Sequence, residues 1–154
     1  MGTIHTATET IEASVKTNHQ HMLAQAIYRW RYLLDNARSE LHRQDWNAAV
    51  DAYQQAYCQA ELLIHIADCK NCAIKNYVRT LFEYGYSLCQ THHSEVLLGV
   101  LDIARQTLEC YATTTLTQQL LKPIINLVHA NSQQRDIWMN QLFAEDALQQ
   151  QAVH

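Results

Sequence analysis

The sequence predicts an all-α fold, and three observations carry the prediction. The chain has only 3 Gly and 1 Pro among 154 residues, which leaves little material for tight turns. Ala, Leu and Gln dominate while β-branched runs are scarce, a composition that favours helix over strand. Apolar residues recur at spacings of three and four along most of the chain, the period of one helical face. A hydrophobic content of 48% is enough for one domain with a real core.

Residues 1–18 are rich in Thr and weakly periodic, and are expected to be an N-terminal tail or a short marginal helix. Residues 19–154 form a single helical domain. Its first helix runs from about His19 to Arg43, with Leu23, Ala26, Ile27, Trp30, Leu33, Leu34, Ala37 and Leu41 on one stripe. Gln44-Asp45 breaks the pattern, and Asp45 suits an N-cap because its carboxylate can accept the free amides of the next first turn. The second helix spans about Trp46–Ala67, with Ala49, Tyr53, Ala56, Ala60 and Ile64 inward. Asp68–Cys72 makes the turn into a third helix carrying Ile74, Tyr77, Leu81, Gly85 and Leu88. Ser94 is the expected N-cap of a fourth helix that reaches about Tyr111. Thr113–Thr115 opens a fifth, in which Pro123 predicts a kink or a delayed start. Asn131-Ser132 caps a sixth helix containing Ile137, Trp138, Leu142, Phe143 and Leu148. Six helices with short breaks imply three consecutive antiparallel hairpins.

The turn and second helix over Gln44-Asp-Trp-Asn-Ala-Ala-Val-Asp-Ala-Tyr-Gln-Gln-Ala56 resemble a tetratricopeptide repeat. Ala37 falls on the first small position of that pattern and Gln44 on its usual turn glycine, while Trp46, Ala49, Tyr53 and Ala56 fall on its second-helix signature. A second echo runs through Gly85, His93, Leu97, Leu101 and Ala104. It is displaced by 48 residues, against a family period of about 34, so these helices are longer than the family norm. The resemblance implies a right-handed superhelix or bundle that binds a protein or peptide segment in a groove lined by the first helix of each hairpin. The groove positions would be Arg31, Arg38 and His42 in the first hairpin, and Arg79, Phe82 and Tyr86 in the second. As exposed groove residues, Arg38 and Arg79 are expected to matter for binding and little for folding. Two arginines on one wall suit an acidic partner. Leu34 and Glu83 replace the Lys and Asn with which co-chaperone members of the family clamp a terminal carboxylate, so that ligand is not implied. Secretion chaperones built on such repeats are similar in size and acidity.

A formal charge of −4 argues against general nucleic-acid binding, which needs clustered Lys and Arg against phosphate. It offers no attraction to an anionic membrane surface, and no apolar run is long enough to cross a bilayer. Met1–Thr10 has neither a basic nor an apolar signal region, so a cytoplasmic protein with reduced thiols is expected. Cys58, Cys89 and Cys110 are expected to be buried structural thiols.

Cys69-Lys-Asn-Cys72 with Cys89-Gln-Thr-His92 imitates paired zinc ligands. The helical stripe between the pairs separates them by about 25 Å, so no metal is assigned. Cys69 and Cys72 alone could serve as a thiol redox sensor, since a helix N-terminus and Lys70 would favour a thiolate. Tyr28-Arg-Trp-Arg-Tyr32 reads as a core Trp30 with a solvated face, in which Arg31 can pair with Asp35. No catalytic constellation has useful spacing, and neither enzyme activity nor a cofactor is assigned. The leading functional expectation is an adaptor or chaperone-like interaction module. The alternatives are the redox sensor and a self-associating structural subunit, since homo-oligomers are compatible with the pattern.

Overall fold

A computed structural model describes residues 2–153, with side chains over residues 6–152. The six helices are α1 (Gly2–His42), α2 (Trp46–Ile66), α3 (Lys70–Gln90), α4 (Ser94–Glu109), α5 (Thr114–His129) and α6 (Ser132–Val153). They follow one another as antiparallel neighbours. Residues 2–18 continue α1 without a break, although side chains 6–18 are all exposed. Contact with the body begins where Leu23, Ala26 and Ile27 meet the core, and His19 reaches Asp68 in the α2–α3 turn at 3.4 Å.

Local chemistry sets the helix ends. Asp45 accepts from the Ala48 amide at 3.3 Å, as its place before Trp46 predicts. Thr113 does the same for Leu116 at 3.1 Å. Asn131 and Gln134 satisfy each other's backbone amides reciprocally at the start of α6, a capping box with Asn in the first position. The expected cap at Ser94 is not used. His93 holds the N-cap position without a side-chain bond to the helix amides, its Nδ1 pairing instead with the Thr91 hydroxyl at 2.9 Å, and Ser94 is already the first helical residue. Nor does Pro123 delay α5: the helix runs through it, exposed, and the Gln119 carbonyl receives no amide from that ring.

Gln44, at the turn-glycine position, has φ 61°, and His92 has φ 61° in the α3–α4 turn. Both residues therefore occupy left-handed backbone that an L side chain adopts only at a cost. These turns are 48 residues apart, and the burial pattern repeats with them. Ala37 and Gly85, Ala49 and Leu97, Tyr53 and Leu101, Ala56 and Ala104, and Ala60 and Leu108 are buried pair by pair. Gly85 lets α3 approach closely: a Cβ there would lie 3.2 Å from Leu97 and 3.3 Å from Leu127.

α3 is the hub. It packs on α2, α4 and α5, and it is also the helix against which α6 lies closest. The core joins all six helices, with Tyr53, Ile64, Tyr77, Leu81, Leu97, Leu108, Ile124 and Leu127 fully enclosed. Tyr77 shares a hydrogen bond with Tyr57 at 2.7 Å, and Trp30 donates to Thr80 at 3.1 Å, so the polar ends of these large side chains are satisfied inside.

Candidate groove on α1 and α3

A fully buried carboxylate organises the face that α1 and α3 share. Glu83 Oε1 accepts from Arg38 Nε at 2.8 Å and from the Tyr53 hydroxyl at 2.9 Å. Its Oε2 accepts from Arg38 Nη2 and from Arg79 Nε, each at 2.8 Å. The Arg38 bond is a bidentate fork, the strongest form of carboxylate recognition. Burial alone would lower the Arg38 pKa, but the hydrogen bond and charge of Glu83 outweigh it and the net shift is upward. Tyr53 is held well above the ordinary phenol value, first by burial and then by the neighbouring carboxylate.

The same arginines reach outward to α6. Arg79 Nη1 and Nη2 grip Asp146 at 3.1 and 2.6 Å, a second fork made with the part of the guanidinium that Glu83 leaves over. Phe143 sits one turn before Asp146, with the Arg38 and Arg79 guanidinium carbons 5.6 and 5.7 Å from its ring centre. The His42 ring lies 5.3 Å from the Phe143 ring, tilted by 56°. Farther along, the Tyr86 hydroxyl donates to Asp136 at 2.6 Å and receives Gln90 at 2.9 Å. Burial, followed by the Asp136 hydrogen bond, raises the Tyr86 pKa. Phe82 is half-buried and lines a cleft with Trp138, Gln119, Lys122, Pro123 and Asn126.

The sequence-predicted groove residues are thus brought together. Arg38, His42, Arg79 and Tyr86 all touch α6, and Phe82 shares a cleft with it. Two expectations need correction. Arg38 and Arg79 are not free surface groups, because they neutralise Glu83 inside the protein. Arg31 does not pair with Asp35: it is exposed, and among the described residues no ion pair engages it. Arg31 instead borders an open cleft of ≈ 600 Å³ with Trp30, Arg38, Arg79, Asp146 and Gln150. The sequence reading missed Glu83, Tyr53, Asp136, Phe143 and Asp146 as members of the site. Only Glu83 carries a local signal, its i, i+4 spacing from Arg79. The α6 residues carry none, since their distance from α3 in the chain is spanned only by the fold.

The thiols are arranged differently from expectation. Cys69 and Cys72 are joined as a disulfide, because the first turn of α3 sets their Cα atoms 5.4 Å apart. Cys69 is also the N-cap of α3, accepting from the Cys72 amide at 3.3 Å. Cys89 is buried as predicted, whereas Cys58 and Cys110 are exposed. Cys89 lies near the far end of α3, within one continuous helix from Cys72, so the two halves of the apparent zinc pattern stay apart.

No protein-family model matches the chain, and no curated protein and no solved structure matches it. What is established is an all-helical six-helix protein without a family assignment. Among the described residues no helix is long and apolar enough to cross a membrane.

Proposed function

We propose that this chain is a protein-interaction module that holds a helical segment of a partner against the α1–α3 face, in the manner of a tetratricopeptide-like scaffold. One observation carries the reading: five residues chosen from sequence for a groove gather on one face and engage a helix, α6. The chemistry suits recognition rather than reaction. Guanidinium forks and aromatic rings give direction and specificity, and the exposed Arg31 adds a free cation at the open end. The experiment is position-dependent photo-crosslinking in the native host, with the reactive residue at Arg31 and, as control, at the exposed Arg105 of α4. A discrete product from position 31 alone supports the reading. Products from position 105 alone place the interaction on the opposite face and refute it.

The Cys69–Cys72 disulfide favours a second reading, a thiol sensor. An external dithiol would open the disulfide, supplying two electrons and two protons and leaving two thiols at the α3 N-terminus beside Lys70. A redox titration followed by mass-tagged alkylation tests it. A midpoint within the cellular thiol range supports a sensor, whereas a pair that stays fully reduced or fully oxidised across that range removes it.

A further inference from the structure

α6 is seated in the groove by three residues whose spacing places them on one side of a helix. Asp136, Phe143 and Asp146 lie within about 80° of one another around the α6 axis at the normal 100° per residue. They meet Tyr86, the Arg38–Arg79 pair and Arg79 in that order, so α6 runs antiparallel to α3. Within α6, Met139 is buried and Trp138, Leu142 and Phe143 are half-buried, whereas Ile137 and Leu148, exposed at 48% and 66%, lie on the side of the helix turned away from the groove. Past Asp146 the groove stays open, and Arg31, which has no ion pair among the described residues, borders the same cleft as Asp35 and the neutral Gln149 and Gln150.

We propose that α6 is a displaceable occupant, and that the groove takes a partner's amphipathic helix bearing an acidic residue, an aromatic seven residues later, a second acidic residue three beyond that, and a third near the place of Gln150. The inference rests on reading this face as a protein-binding surface. The first three features reproduce what α6 offers. The fourth gives Arg31 a carboxylate that α6 lacks, and this is what lets a partner helix compete. α6 holds the advantage of being tethered, which for a short linker corresponds to an effective concentration of order millimolar. A partner therefore wins by the added contact at Arg31, or after the α6 anchors weaken.

The test uses the full chain and a labelled peptide of the residue 132–153 sequence carrying Gln150→Glu, followed by fluorescence anisotropy. The chain is compared with its Phe143→Ala, Asp146→Asn double variant, which loosens the resident helix and leaves the groove side chains intact. Expected is at least tenfold tighter peptide binding to the double variant, lost again when Arg31→Glu is added. A double variant that keeps the parent's helical circular dichroism and binds no better than the parent overturns displacement, while the crosslinking at Arg31 still judges the surface reading separately. If the double variant does not fold, hydrogen exchange on the unaltered chain decides. Amides of α6 opening well before those of α2 and α3 support displacement, and α6 opening only with the whole molecule overturns it. Concentration-dependent dimers of the double variant that exchange α6 between copies would overturn a foreign helix as occupant in favour of a second copy.

Discussion

Replacing Glu83 with Gln removes one charge from the middle of the protein and leaves the shape of the side chain intact. The carboxylate is fully enclosed and receives four hydrogen bonds, three of them from guanidinium groups. Gln retains one carbonyl oxygen, which can keep the bonds from Arg38 Nε and the Tyr53 hydroxyl. Its amide nitrogen then points two donors at Arg38 Nη2 and Arg79 Nε, which are donors themselves. Two charge-assisted bonds are lost, at about 1.5–3 kcal/mol each, and two cations lose their counter-ion. Both arginines keep some contact with water, at 26% and 21% side-chain exposure, which relieves part of the penalty. The expected destabilisation is about 3–5 kcal/mol, the range for breaking a buried ion pair from one side. That is a large part of a domain's usual 5–15 kcal/mol or so. It corresponds to a fall in Tm of roughly 6–20 °C for a chain of this size. Urea denaturation followed by circular dichroism, with an unchanged m value, measures it. The control is Glu40→Gln, which removes only the 3.4 Å rim pair with Arg43 and should cost less than about 0.5 kcal/mol. A Glu83→Gln loss below about 1 kcal/mol would refute the claim that this carboxylate organises the site.

Charge reversal of Arg38 and Arg79 together should prevent folding, seen as lost cooperative melting, because it gathers carboxylates around Glu83 with no cation among them. Ala49→Trp should destabilise by about 1–3 kcal/mol or more, since Ala49 has no accessible surface and no room for an indole; a thermal melt matching the parent would contradict this. His92→Gly should stabilise by about 1 kcal/mol in denaturant titration by relieving a left-handed residue at φ 61°. Cys69→Ser should keep the α3 cap, because a Ser hydroxyl accepts the same amide, and stability measured under reducing conditions should change by less than about 0.5 kcal/mol. Burial pushes the phenols of Tyr53, Tyr57, Tyr77 and Tyr86 upward, Tyr57 to about 12. A raised folded-state pKa means that stability is intact below the unfolded phenol value of about 10 and is lost as pH climbs from there through about 12. Equilibrium unfolding at stepped pH should show that decline, with tyrosinate absorbance at these positions rising together with loss of helix.

Helical periodicity was enough to place six helices from sequence, because each bury-one-face pattern is written locally at spacings of three and four, but not the extension of α1 back to Gly2, where no such pattern is written. Caps such as Asp45, Thr113 and Asn131 were legible for the same reason: donor and acceptor lie within one turn. The left-handed turn at Gln44 was legible only as a position where a glycine would normally stand. Ser94 misled because its hydroxyl suits a cap, whereas the helix starts one residue earlier, with His93 at the N-cap and Ser94 already in the first turn. Longer-range relations were not written in any window of sequence. Arg38, Arg79 and Tyr86 could be assigned to one face, yet their sharing of Glu83 and their grip on Asp146, Phe143 and Asp136 depend on how α1, α3 and α6 meet. An arginine on a helix stripe looks the same whether it faces water or a buried carboxylate from another helix. What decides between the two is the desolvation of Glu83, and desolvation is a property of the packed structure alone.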